Sequence, residues 1–188
     1  MSALDTSLVG KVANVLRHPP AYAERGVQGS ILFAAANSYG AQSAEDITQP
    51  TGFDPEAARL FEAIVESAYL VANADGDFDA TERTTFEHVV LVACEGKVAE
   101  RQITALLADL HEQLAEDGFE KRVKMVARSI NKPEHAREVL RVAALLAHVS
   151  GGVSGVERSA LERLAGELSL ELGLIEQALQ EAVQALGD

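Results

Sequence analysis

Two stretches of this chain repeat each other without a gap, and the pattern they share leaves little freedom in what the chain can become. Leu70-Val71-Ala72-Asn73-Ala74-Asp75-Gly76-Asp77-Phe78-Asp79-Ala80-Thr81-Glu82-Arg83 aligns with Leu145-Leu146-Ala147-His148-Val149-Ser150-Gly151-Gly152-Val153-Ser154-Gly155-Val156-Glu157-Arg158 at a constant offset of 75 residues. Leu, Ala, Gly, Glu and Arg coincide, and apolar partners continue outward: Ile64 with Val139, Val65 with Leu140, Phe86 with Leu161, Val89 with Leu164. Each copy reads as helix, tight loop, helix. Such a hairpin cannot bury its apolar face alone, so two copies are expected to pack on one another about a pseudo-twofold axis. The alternative is chance convergence on a common hairpin.

The rest of the chain carries the same helical period. Leu4, Leu8, Val12, Val15 and Leu16 form one face, and His18-Pro19-Pro20 ends that helix. A second helix is expected from about Val27 to Tyr39, and residues 40–53 read as a linker. Asp54-Pro55-Glu56 opens the next helix, with an N-cap aspartate, a proline at the first helical position and an acid in the first turn. Leu60, Ile64, Ala68 and Val71 line one side of it. Further helices are expected at about 80–95, 99–116, 119–130, 133–149, 155–168 and 174–186, with Gly118 and Gly173 as helix stops. No alternating run bounded by a hairpin turn argues for a strand. The expected fold is all-α, a compact bundle of about seven to nine helices built around two related helix–loop–helix hairpins. Residues 1–53 form an N-terminal helical extension and linker, and 54–188 the main domain.

Charge narrows the function. Sixteen basic residues stand against 29 acidic ones, a net charge of −13. That field repels phosphate backbones and anionic membrane surfaces, which argues against nucleic acid as a partner. It attracts cations and basic protein surfaces, or serves only solubility. The single cysteine, Cys94, lies in an apolar run and reads as a buried structural thiol. No apolar run approaches the ~20 residues of a membrane span, and no signal segment opens the chain. The expectation is a cytoplasmic protein with no direct membrane insertion.

The loops offer the one chemical candidate. Asp79-Ala-Thr-Glu82 and Ser154-Gly-Val-Glu157 each fit a capping box, a sufficient structural reason for those residues. Asp75 and Asp77 are not explained that way. Asp75, Asp77, Asp79 and Glu82 crowd four carboxylates into one turn, and oxygen donors at alternate positions suit a hard cation such as Ca²⁺ or Mg²⁺. The match to an EF-hand is incomplete: Ala80 replaces its glycine and Phe86 its bidentate glutamate. A solvated acidic turn is the rival reading. The second loop has Ser150, Gly152 and Ser154 at the matching places and is expected to bind no cation.

Ala72-Asn73-Ala74-Asp75-Gly76 with Glu82 six residues on resembles the repeated signature of the TerB-like tellurite-resistance family, and the N-terminal module of a membrane-anchored DnaJ-type co-chaperone. The stretch Asn131-Lys-Pro-Glu-His-Ala-Arg-Glu-Val-Leu-Arg-Val-Ala143 resembles that family's approach to its second loop. The resemblance covers roughly residues 55–186. It implies a bundle of about seven or eight helices, a role in tellurite and other chemical stress, and acidic residues that bind metal ions. It also implies membrane-associated stress-response proteins as partners. Asp75, Asp77, Asp79, Glu82 and Glu157 carry over; Ser150 stands where the second loop's acid is expected, against a two-site mechanism.

Motifs of catalysis are missing from the sequence: no His-Glu-x-x-His, no Glu-x-x-His pair, no phosphate loop, dinucleotide fingerprint or nucleophile elbow. Of the five scattered histidines, His88 and His148 read as packing or surface residues. The expected function is a non-enzymatic, TerB-like stress-response module that requires no cofactor. It would bind Ca²⁺ or Mg²⁺ weakly through one loop and dock protein partners. A metal-independent helical interaction scaffold is the alternative.

Overall fold

Helix caps written into the sequence set most of the architecture. In a computed structural model, residues 6–24, 26–41, 53–76, 78–149 and 153–186 are described, and they form nine helices and no strand. These are α1 (Thr6–Arg17), α2 (Ile31–Gly40), α3 (Pro55–Ala72), α4 (Ala80–Ala93), α5 (Glu100–Asp117), α6 (Phe119–Ser129), α7 (Pro133–Val149), α8 (Gly155–Glu167) and α9 (Gly173–Leu186). The fold is all-α, as expected.

Asp54 caps α3 by accepting from the N–H groups of Glu56 (2.9 Å) and Ala57 (3.4 Å). The second helix begins at Ile31 rather than near Val27. There the hydroxyl of Ser30 accepts from Phe33 N (3.1 Å), while Ser30 N donates to the carbonyl of Arg17 (2.8 Å). That pair of bonds ties the start of α2 to the end of α1 and fixes the boundary. Gly118 ends α5 with φ 76°, as its position predicts. Gly173 does not end a helix: it is the first residue of α9. The stop for α8 is Ser169, at φ 57°. Leu170 N donates to Ala165 O (2.9 Å) and Ser169 N to Gly166 O (3.1 Å), a Schellman closure built without glycine.

The central helices α3 and α7 make the most extensive helix–helix contact. Both are buried on nearly every side, wider than the single stripe the sequence spacing implied, because neighbours cover α3 from α2, α5, α6 and α8. Around them the contacts obey an exchange. Swapping α3 with α7, α4 with α8, α5 with α9 and α1 with α6 sends α1–α4 to α6–α8 and α1–α7 to α3–α6. It likewise sends α1–α9 to α5–α6, α3–α5 to α7–α9, α3–α8 to α4–α7 and α4–α5 to α8–α9. This is the pattern a pseudo-twofold relation requires, although the α7–α8 contact has no equally extensive mate.

Helix α2 has no counterpart in this exchange and packs on α3 and α1. Its C-terminal Gly40 is there because a Cβ would stand 1.7 Å from the carbonyl oxygen of Lys97. The N-terminal extension joins the common core: Val9, Val12 and Leu16 of α1 and Leu32 and Ala36 of α2 are buried with it.

Candidate functional site

Residues 73–79, between α3 and α4, hold the acidic turn. Asn73 N donates to Tyr69 O (3.0 Å), Ala74 N to Val71 O (3.1 Å) and Gly76 N to Asn73 O (3.2 Å), winding the chain off the helix end. Gly76 sits at φ 82°, a left-handed conformation that favours glycine. Phe78 then anchors the far side. Its ring meets Tyr69 (centroids 5.5 Å apart) and Phe86 (5.9 Å) edge-on. The acids are thereby held at the surface: Asp75 and Asp79 are exposed and Glu82 is half-buried.

Both capping boxes form. Asp79 Oδ1 accepts from Thr81 N (2.6 Å) and Glu82 N (2.9 Å), and Glu82 Oε2 accepts from Asp79 N (3.0 Å). In the other hairpin Ser154 Oγ accepts from Glu157 N (3.2 Å) and Glu157 Oε2 from Ser154 N (2.8 Å). Two of the four candidate ligands, Asp79 and Glu82, are thus brought together by helix capping. The cap's bonds fall on one oxygen of each, so a hard cation could reach only the remaining one without competing with the backbone. Asp77, Ser150 and Gly152 lie outside the described residues. Among those described, no group of three or more His, Cys, Asp or Glu side chains is arranged to hold a metal. Glu157, carried over by resemblance, is buried (5% exposed) beneath its cap.

The other side chains singled out from sequence fall in unremarkable places. Cys94 is fully buried, and burial pushes its thiol up to about 12, so it is inert as a nucleophile near neutrality. His88 is exposed and His148 half-buried. His111 Nδ1 lies 3.2 Å from the hydroxyl of Tyr69. A cleft of about 500 Å³ lies where α3 and α7 begin. It mixes Asp54 and Glu56 with Arg59, Arg128, Lys132 and His135. Burial, then Lys132, holds the His135 imidazole below its ordinary value. Among the described residues, no helix is long and apolar enough to cross a membrane.

Sequence reading missed the buried charges. Glu66 on α3 pairs with Arg122 on α6 (2.6–2.7 Å), and Arg122 also reaches Asp117 (3.2 Å). Arg141 on α7 pairs with Glu181 on α9 through Nε and Nη2 (2.7–2.9 Å) and donates to the carbonyl of Val15 on α1 (2.9 Å). Glu138 accepts from Ile31 N (2.7 Å), a bond from α7 to the first turn of α2. The signal was present: Glu66 is the only charged residue in Ala63–Ala72, and Arg141 the only one in Val139–Ala147. A lone charge inside an apolar helical run needs a partner from elsewhere in the fold.

Comparison with known families, curated proteins and solved structures finds no match for this chain.

Proposed function

We propose that this chain is a non-enzymatic, TerB-like helical module that binds a divalent cation weakly through the α3–α4 loop and docks partner proteins. The observation that supports the reading is the contrast between two loops with the same scaffold. Capping accounts equally for Asp79 and Glu82 in one hairpin and for Ser154 and Glu157 in the other. It leaves Asp75 and Asp77 over, and their equivalents are Ser150 and Gly152. The second hairpin keeps its capping box with Ser150 and Gly152 at the places of those two acids. Placing them beside Asp79 and Glu82 concentrates negative charge at an exposed turn, where a hard cation would relieve the repulsion. With one oxygen each of Asp79 and Glu82 engaged by the backbone, affinity should be low unless a docked partner adds donors. The acidic surface suits basic partner proteins, and the resemblance points to those of membrane-associated stress responses.

Titration with Ca²⁺ or Mg²⁺, followed through backbone amide signals, tests this. Gly76 to Glu82 should shift saturably while Ser154 to Glu157 stay nearly still. The double substitution Asp75→Asn, Asp77→Asn should abolish the response and leave the helical signal intact. Saturating cation should raise the melting temperature of the wild type and not of the double variant. A flat titration at millimolar ion would favour the metal-independent scaffold, in which the turn is a solvated surface feature.

A further inference from the structure

The same offset that relates the two loops also relates two clefts, and their charge is reversed. One cleft, about 410 Å³, lies among α3, α5 and α6 and carries Glu62, Glu66 and Asp109, with Arg59 and Arg122 at its wall. The other, also about 410 Å³, lies between α7 and α9. At the positions equivalent to Glu62, Glu66, Leu106 and Asp109 it carries Arg137, Arg141, Glu181 and Gln184. In a chain with net charge −13, one of two equivalent clefts has exchanged its acids for guanidinium groups.

Those guanidinium groups have donors to spare. Arg141 is 3% exposed; its Nε and Nη2 are engaged by Glu181 and Val15, and its buried Nη1 has no acceptor. Arg137, one helical turn earlier, has a buried Nε without an acceptor, and the ion pairs among the described residues do not include it. Its guanidinium lies 4.1 Å from the ring centroid of Tyr22, which covers it from the segment joining α1 to α2. Buried N–H donors are nearly always satisfied, so two of them in one cleft ask for an acceptor.

We propose that this cleft binds a small organic monocarboxylate. A carboxylate is planar, matches the guanidinium fork and accepts on both oxygens. The charge favours a single negative group: Glu181 already balances Arg141, and Glu138 lies close enough to act on the Tyr22 phenol. A dianion would meet the Glu181 carboxylate in the cleft wall and the added negative field of Glu138. Gln177, Gln180 and Gln184 offer amide groups to the rest of the ligand, and Leu174 and Ala178 an apolar surface. Because the spare donors are covered, entry requires Tyr22 to shift off Arg137. Tyr22 is 44% exposed, whereas Tyr39 and Tyr69 are buried in the core. The chain has no tryptophan, so Tyr22 reports the event in tyrosine fluorescence.

The test titrates the full chain with acetate, lactate and inorganic phosphate at constant ionic strength. Tyrosine fluorescence and the arginine Nε–H signals are followed together. Acetate or lactate should give saturable changes at Arg137, Arg141 and Tyr22, and phosphate a weaker response. Arg137→Gln should weaken binding by about tenfold, the worth of one charged hydrogen bond, without altering the helical signal. Glu62→Gln, in the equivalent acidic cleft, should leave binding unchanged. No saturable response to any carboxylate, an equal response to phosphate, or binding that survives Arg137→Gln would each overturn the proposal.

Discussion

The two halves of this molecule share a contact plan and a capping device and differ in the sign of what they bury. Glu66 and Arg141 occupy equivalent positions on the two central helices, and both are buried. Each reaches an equivalent neighbour: Glu66 bonds Arg122 on α6, and Arg141 bonds a carbonyl of α1, the helix that takes α6's place in the other half. The position therefore specifies that a polar group be bridged across the interface, not which charge it bears. Burial makes the partner obligatory, because an unpaired buried charge costs far more than a paired one returns. The halves also differ in how deeply the pair is enclosed. Glu66 and Arg122 keep 11% and 10% of their side-chain surface, whereas Glu181 keeps 35% opposite an Arg141 with 4%.

That inequality gives the largest expected effect. Glu66→Ala strands Arg122 in the interior and should cost about 3–5 kcal/mol, toward the lower end because Asp117 remains within reach. Arg141→Met strands Glu181, which water can take up, and loses one bond to a carbonyl; about 1–3 kcal/mol is expected. Replacing both Glu66 and Arg122 with Leu and Met should recover most of the first loss. Urea midpoints of the four proteins decide it. If Arg141→Met proves the costlier change, depth of burial does not rank the two pairs, and the carbonyl of Val15 or the shape of the α7–α9 cleft must carry the difference.

What the sequence made legible follows the same division. Caps, prolines and apolar spacing act over one or two turns, so the starts of α3, α4 and α8 and both capping boxes could be read directly. The late start of α2 depends on Ser30 N meeting the carbonyl of Arg17, and the end of α8 on a serine in a glycine's conformation; neither is visible in local composition. The partners of Glu66 and Arg141 are 56 and 40 residues away and depend on which helices become neighbours. At the candidate site, the pairing of Asp79 with Glu82 was readable as a local motif. The burial of Glu157 against the half-exposure of Glu82 was not, because it depends on what packs over each hairpin.

The capping boxes provide a smaller and sharper comparison. Asp79 accepts two backbone N–H groups and adds a negative charge to the helix start; Ser154 accepts one, at a longer distance. Asp79→Ala and Ser154→Ala should each destabilise by about 0.5–2 kcal/mol, with the aspartate change the larger. The Ser154→Ala loss should be the same with and without a chelator, and the Asp79→Ala loss should grow when cation is present. Equal losses at the two sites in all conditions would mean that the caps are interchangeable and that the acidic turn takes no part beyond its hairpin.

The smallest effect concerns a group present in only one half. Glu138 aligns with Ala63, so the first half has no equivalent of its bond to Ile31 N. Burial pushes the Glu138 carboxyl above its ordinary value of 4.5, and the bond from Ile31 N and the nearby Arg141 charge only partly oppose this. A carboxyl whose folded value is raised binds its proton more tightly in the native state. Its contribution to stability is therefore fully present below the unfolded value near 4.5 and is lost as pH rises through the raised one. Glu138→Gln removes the titration but keeps an oxygen able to accept from Ile31 N. Relative to the wild type, the variant should gain stability as pH rises out of the acid range, with little change below that range, when melting is followed across pH in a single buffer series. The opposite slope would mean that the α2 start and Arg141 favour the carboxylate more than burial opposes it. Glu138 would then act as a charged clasp between α7 and α2, and the second half would bury one more true ionic interaction than the first.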